Sequence, residues 1–262
     1  MQIPFSKYHG TGNDFILIDN RKLHWKVTGE EIVSLCNRHF GIGADGLMLL
    51  SEQKGFDFHM TYYNSDGKES SMCGNGGRCM TIFARSLGLT GQEAKFSAID
   101  GEHIARIHRK GNADIVKLKM RDVTVEEDEP GHLFMNTGSP HYVVISKDIE
   151  HLDIVTEARN IRYNDRFREE GTNVDFAEVT IDPIFVRSYE RGVEDETLSC
   201  GTGVTASALA AAIRVPGRKA PLRVRTRGGE LRVYYRQARN SFTDVWLEGE
   251  AVFVYSGTIM SK

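Results

Sequence analysis

The chain has 262 residues, 40% hydrophobic and 26% charged, enough apolar material for one large or two ordinary globular domains. Its 33 basic and 36 acidic side chains leave a formal charge of -3, which gives no sign of a dedicated polyanion-binding surface and makes nucleic acid an unexpected partner. Residues 1–7 lack the basic end and apolar core of a signal peptide, and no apolar run approaches the ~20 residues of a membrane span, so the expected address is the cytoplasm, with no membrane partner.

In chain order, Thr28-Gly29-Glu30-Glu31 reads as a capping box opening a helix whose buried face carries Ile32, Cys36 and Phe40. Phe58, Met60 and Tyr62 alternate as in a strand, and Ser65-Asp66-Gly67 marks a turn. Cys73-Gly74-Asn75-Gly76 then opens a second helix with Met80, Phe83, Ala84 and Leu87 on one stripe. Strand patterns follow at Leu118/Met120 and Val143/Ile145. Between them lies the acidic stretch 125–130, either the crossing between two halves or one solvated loop. Cys200-Gly201-Thr202-Gly203 opens a third helix through Val204, Ala208, Ala211 and Ala212, apolar on nearly every side and so central and enclosed. Further strands fall at Leu231/Val233/Tyr235 and Val252/Val254. Strands dominate and turns are frequent, which predicts an α+β chain with antiparallel or mixed sheet; a doubly wound parallel fold fits poorly.

The two halves share a plan: Tyr63-Asn64, a polar loop, Cys73 and a helix; then Tyr189-Glu190, a polar loop, Cys200 and a helix. The Tyr-to-Cys offsets are 73 − 63 = 10 and 200 − 189 = 11 residues, a near match. Two domains are expected, 1–121 carrying Cys73 and 122–250 carrying Cys200.

A thiol at a helix N-terminus meets the positive end of the macrodipole, which favours thiolate. The adjacent glycines let backbone N–H groups approach a carboxylate. Two such motifs on either side of one carbon form a stereoinversion site: one thiolate removes a proton, the other thiol delivers one to the opposite face. Neither metal nor pyridoxal group is required. A single Cys-Gly motif reads equally as a buried cysteine beside a tight turn; the paired occurrence favours chemistry. Cys36, on the stripe of the first helix, and Cys79, a turn inside the second, read as core residues. No Cys-x-x-Cys pair occurs, so no structural zinc site is expected.

Several motifs together resemble the diaminopimelate epimerase family: 7–15 (KYHGTGNDF), Asn64-Ser65-Asp66-Gly67, 72–79 (MCGNGGRC), Gly138-Ser139-Pro140-His141, Thr172-Asn173-Val174, Glu190-Arg191-Gly192 and the terminal 251–255. The resemblance implies two pseudo-symmetric domains, each a barrel-like mixed sheet around a central helix, with the strand in 251–262 returning to the first domain and the active site in the interdomain cleft. It implies interconversion of LL- and meso-2,6-diaminopimelate without a cofactor, in lysine and peptidoglycan precursor synthesis, with Cys73 and Cys200 as acid and base, His141 helping Cys73 and Glu190 helping Cys200. It also implies substrate contacts from Asn13, Asn64, Asn173, Glu190 and Arg191, carboxylate-binding N–H groups from Gly74, Asn75, Gly201 and Thr202, and a homodimer with Tyr255 at the contact. Taken singly, the asparagines read as turn or cap residues, His141 as a structural imidazole and Glu190 as an ion-pair partner of Arg191.

Ser139 stands where many family members have asparagine and Gly46 where some have glutamine, both substrate-contacting positions, and the loop 193–197 is one residue longer than usual. Two alternatives remain: a proline or hydroxyproline racemase, which has no use for Arg191 and the asparagines, and a redox-sensing amino-acid-binding protein in which Cys73 and Cys200 form a reversible disulfide.

Overall fold

The computed structural model describes residues 2–260; Met1 of the opening segment and the last two residues of the returning segment 251–262 lie outside the described residues. The chain divides into two compact units, Met1–Leu118 with Gly249–Lys262, and Lys119–Glu248.

The first unit contains β1 (Gln2–Gly10), β2 (Asn13–Asp19), α1 (Gly29–Cys36), β3 (Gly46–Ser51), β4 (Phe58–Asn64), β5 (Glu69–Ser70), α2 (Gly74–Ser86), β6 (Glu93–Ala98), β7 (Gly101–Lys110) and β8 (Ala113–Lys119), joined by the returning strand β18 (Val252–Met260). Pairing runs β18-β1-β2-β3-β4-β6-β7-β8, antiparallel except at β2/β3 and β4/β6, with β5 added to β4. At the foot of β18 the Ala251 N–H bonds the Asp114 carbonyl of β8 (3.3 Å), so the series bends into a barrel-like sheet. Gly74 to Ala84 of α2 are all buried inside it. Interior Phe15, Phe58, Phe96 and Leu47 are fully buried, each worth about 1.5–3 kcal/mol of transfer free energy.

The second unit repeats this order with β9 (Val123–Glu129), β10 (His132–Asn136), β11 (Pro140–Ile145), α3 (Ile154–Arg162), β12 (Asn173–Glu178), β13 (Ile184–Glu190), β14 (Asp195–Thr197), α4 (Gly201–Arg214), β15 (Leu222–Thr226), β16 (Gly229–Ala238) and β17 (Ser241–Glu250). Its strands pair β9-β10-β11-β12-β13-β15-β16-β17, parallel only at β11/β12 and β13/β15, and β17 closes on β9 through Phe242 and Val123. Here too a helix fills the middle: of the α4 residues from Gly201 to Ala212, all but Thr202 are buried. Small side chains (seven of its fourteen residues are Gly or Ala plus Ser207) let the strands approach α4 closely.

Three details differ from the sequence expectation. The acidic stretch 125–130 is neither crossing nor loop: Val125 to Glu129 belong to β9, paired with β10, and the chain enters the second unit at Lys119. The capping box of α1 is formed, with the Thr28 N–H on Glu31 Oε2 (2.8 Å) and the Glu31 N–H on Thr28 Oγ1 (3.2 Å). Yet the helix ends at Cys36, where Asn37 turns to extended backbone, so Ile32 and Cys36 are buried while Phe40 is 91% exposed. A fourth helix, α3, has Asp153 capping Thr156 and buries Ile154 and Ala158; its four-residue apolar spacing is short and was masked by charged neighbours. The strand expected at Val252 and Val254 is β18, which leaves Phe253, Val254 and Tyr255 largely exposed.

Candidate active site

Both cysteines are helix N-caps. Cys73 (φ −94°, ψ 131°) precedes Gly74 of α2, and Cys200 (φ −105°, ψ 114°) precedes Gly201 of α4, so the first-turn N–H groups of each helix lie beside a thiol. Strand register places the neighbours of each. In the first unit Gly46 of β3 faces Phe15 of β2 and Asn64 of β4; in the second Asn173 of β12 faces His141 of β11, and the next rung, Val174 against Tyr189, brings Glu190 alongside.

In the first half-site the part-exposed Cys73 thiol bonds the Asn13 side-chain oxygen (Sγ to Oδ1 3.6 Å), which also accepts from Asn75 Nδ2 (3.2 Å). Asn13 presents that oxygen because its Nδ2 donates to Asp45 (2.8 Å), itself held by Arg38 (2.7 Å). Asn75 is fixed from behind by fully buried Arg78, which donates to its side-chain oxygen (2.9 Å) and to the Gly74 carbonyl (3.1 Å). Asn64 ends β4, where its carbonyl receives the Gly67 N–H across the turn. Gly76 lies directly against Met48: a Cβ there would stand 2.0 Å from Met48 Cε, so that side chain would have to move to admit one. Gly46 is closed to a side chain, since a Cβ would lie 2.5 Å from the Tyr62 ring and the Tyr63 carbonyl, which accounts for the missing glutamine.

The second half-site is buried and more acidic. Cys200 Sγ accepts the Gly203 N–H (3.4 Å) and lies 3.4 Å from the Thr202 hydroxyl, while the Thr202 carbonyl takes a bond from Thr137 (2.9 Å). Burial, then the negative fields of Glu190 and Asp175, push the Cys200 thiol up well above its ordinary value. This reverses the sequence expectation for Cys200: desolvation outweighs the helix-end dipole, so the resting form is the thiol. Burial also raises the Glu190 carboxyl, which accepts a short bond from the Thr197 hydroxyl. Asn173 donates to Ser139 Oγ (2.9 Å) and the Pro140 carbonyl (2.9 Å) and accepts the Arg191 N–H (2.9 Å). The Arg191 guanidinium bonds the Glu170 carbonyl (2.7 Å) and reaches Ser139 (3.5 Å), so the short Ser139 is part of this cluster. In the lengthened loop Glu194, at φ +58°, is anchored by Tyr163, Tyr189 and Arg162.

Sequence reasoning missed Asp175. It is fully buried, 2.6 Å from His141 Nδ1, and also accepts from Ser188 (2.5 Å). The available signal was a lone acid inside the apolar strand Val174-Asp175-Phe176. Cys36 and Cys79 are buried and pushed up to about 12 by burial, and neither belongs to a half-site. Among the described residues no helix is long and apolar enough to cross a membrane.

The family model for diaminopimelate epimerase matches residues 5–125 and 133–254. A diaminopimelate epimerase from Flavobacterium psychrophilum is 45% identical over 97% of this chain and 98% of its own, and one from Chlorobaculum tepidum is 41% identical over 95% and 98%. Among solved structures, a phenazine biosynthesis protein of the PhzF family from Bacillus anthracis aligns over the full length of both chains with a TM-score of 0.77 at 15% identity. A probable proline racemase from Agrobacterium radiobacter K84 covers 99% of this chain and 93% of its own with a TM-score of 0.69, also at 15% identity. These two share the fold, whereas the high identity along the whole sequence assigns the relationship: the chain belongs to the diaminopimelate epimerase family.

Proposed function

We propose that this chain interconverts LL- and meso-2,6-diaminopimelate by proton transfer at one α-carbon, without a cofactor. The observation that carries it is the repetition of one device, a cysteine capping a buried Gly-rich helix, at matching places in two units of identical strand order. One thiolate takes the α-proton as the other thiol supplies a proton to the opposite face. First-turn N–H groups at Gly74, Asn75, Gly201 and Thr202 stabilise the carboxylate as carbanionic charge grows. Burial and the nearby carboxylates raise the Cys200 thiol, which favours its protonated form before substrate binds. Glu190 beside Cys200, and His141, act as helpers that hold or return protons.

The distal head of the substrate, an ammonium and a carboxylate, suits Arg191 for the anion and the amide oxygens of Asn13, Asn64 and Asn173 for the cation. A cyclic imino acid has no distal ammonium and carboxylate for these groups to recognise. A cytoplasmic location and a homodimer through the exposed β18 surface around Tyr255 belong to the same reading.

Incubation with LL-diaminopimelate in heavy water is expected to place deuterium at the inverted carbon, read by mass spectrometry. Cys73→Ala and Cys200→Ala should each abolish net inversion. Unlabelled substrate after long incubation with the intact protein would instead favour the disulfide-forming binding protein.

A further inference from the structure

The two half-sites are built on one register and filled differently. In the first unit Phe15 (β2) and Met48 (β3) lie under the glycine three residues past the cysteine: a Cβ on Gly76 would meet Met48 Cε at 2.0 Å and Phe15 Cζ at 3.6 Å. The register-equivalent residues of the second unit are His141 (β11) and Asp175 (β12), and a Cβ on the matching glycine, Gly203, would meet Asp175 Oδ1 at 2.2 Å. An apolar pair under one catalytic helix is thus replaced by an ionisable pair under the other. Both members are fully buried, and burying them is costly unless they are paired.

Their hydrogen bonds are almost completely specified. Ser188 Oγ donates to Asp175 Oδ1 (2.5 Å), which leaves Oδ2 for His141 Nδ1 at 2.6 Å. A contact that short between an acid and a ring nitrogen requires a proton on the line joining them. The other ring nitrogen, Nε2, is buried and has no hydrogen-bond partner among the described residues. Buried polar atoms are rarely left so, and an unpaired one marks a place where a partner arrives during function.

We infer that Asp175 is a positioning residue: braced by Ser188, it orients His141 and keeps the proton at Nδ1, so that Nε2 is the nitrogen free to exchange protons during epimerisation. The inference rests on the proposed epimerase activity. In the step it supports, Nε2 accepts a proton from a thiol, leaving thiolate and an imidazolium whose charge the Asp175 carboxylate offsets. That thiolate takes the substrate α-proton while the other thiol protonates the carbanion, and the imidazolium then gives its proton to the thiolate this leaves, so the protons balance and no electron is transferred. Asp175 also adds to the negative field that keeps Cys200 protonated.

The test is Asp175→Asn in the full chain, with ring-15N-labelled histidine and nitrogen NMR. If Ser188 keeps donating to the amide oxygen, the Asn NH2 faces Nδ1 and drives the ring proton to Nε2. The expected result is an Nδ1–H tautomer at His141 in the unaltered protein, an Nε2–H tautomer in D175N, and a kcat lower by about 10²-fold with KM and melting temperature nearly unchanged. An Nε2–H tautomer in the unaltered protein overturns the proposal, as does a D175N kcat within about threefold of normal. Should D175N fail to fold, the tautomer of the unaltered protein decides alone. Absence of α-proton exchange by the unaltered protein sinks the epimerase reading itself, whereas normal exchange by D175N sinks only the positioning role.

Discussion

Four cysteines occupy four different environments, and their environments rather than their sequence neighbours decide their reactivity. Cys36 and Cys79 are buried thiols at about 12, and Cys200 is raised by burial and then by two carboxylates, whereas Cys73 is part-exposed. Alkylation of the native protein with iodoacetamide at pH 8, followed by peptide mass spectrometry, is expected to label Cys73 first; earlier labelling of Cys79 or Cys36 would contradict the assignment. The sign for Cys200 follows from linkage. Its folded value lies above the ordinary 9.0, so the stability it contributes is complete below pH 9 and is lost as pH rises through the folded value. That Cys73 and Cys200, and not the other two, open helices was legible from the Gly-rich motifs that follow them. The raised value of Cys200 was not, because burial and the field of Asp175 arise from strands distant in sequence.

At the scale of the element, α2 and α4 are unusual in being enclosed by strands along most of their length, and this fixes which residues can start them. Gly76 lies against Met48 and Gly203 against Asp175, so each helix packs on its barrel wall through a residue with no side chain. Gly76→Ala should cost about 1–3 kcal/mol in urea unfolding, because Met48 must move within a filled interior. A cost below about 0.5 kcal/mol would mean that the wall yields, contrary to that packing. The capping box of α1 was readable from four residues because both its bonds are local. The end of α1 was not: Phe40 continues the four-residue spacing, but the backbone turns at Asn37, where Gly41, Ile42 and Gly43 donate to carbonyls of α1 and its cap and fold the loop back over the helix end.

For the whole molecule, the matched strand orders of the two units are the strongest sign of an internal duplication, with β18 paired to β1 as β9 is paired to β10. The C-terminal strand therefore completes the first unit as β9 completes the second. Phe253, Val254 and Tyr255 remain 42–52% exposed on β18, although Tyr255 packs edge-on against Phe5. Three large apolar residues in succession at the surface favour an interface, and the proposed homodimer uses them. Tyr255→Arg is expected to convert a dimer to a monomer in sedimentation equilibrium, and a monomeric unaltered protein at micromolar concentration would remove the dimer from the reading.

The sequence by itself determined the strand-rich class, the duplicated plan and the two cysteines that cap Gly-rich helices, because these depend on local periodicity and on short motifs whose geometry is set within a few residues. Only the tertiary structure decided where the chain crosses between units, that Gly46 has no room for a side chain, and that His141 meets Asp175. The parallel pairing of β11 with β12 joins residues more than thirty positions apart, and nothing local to either residue encodes that register.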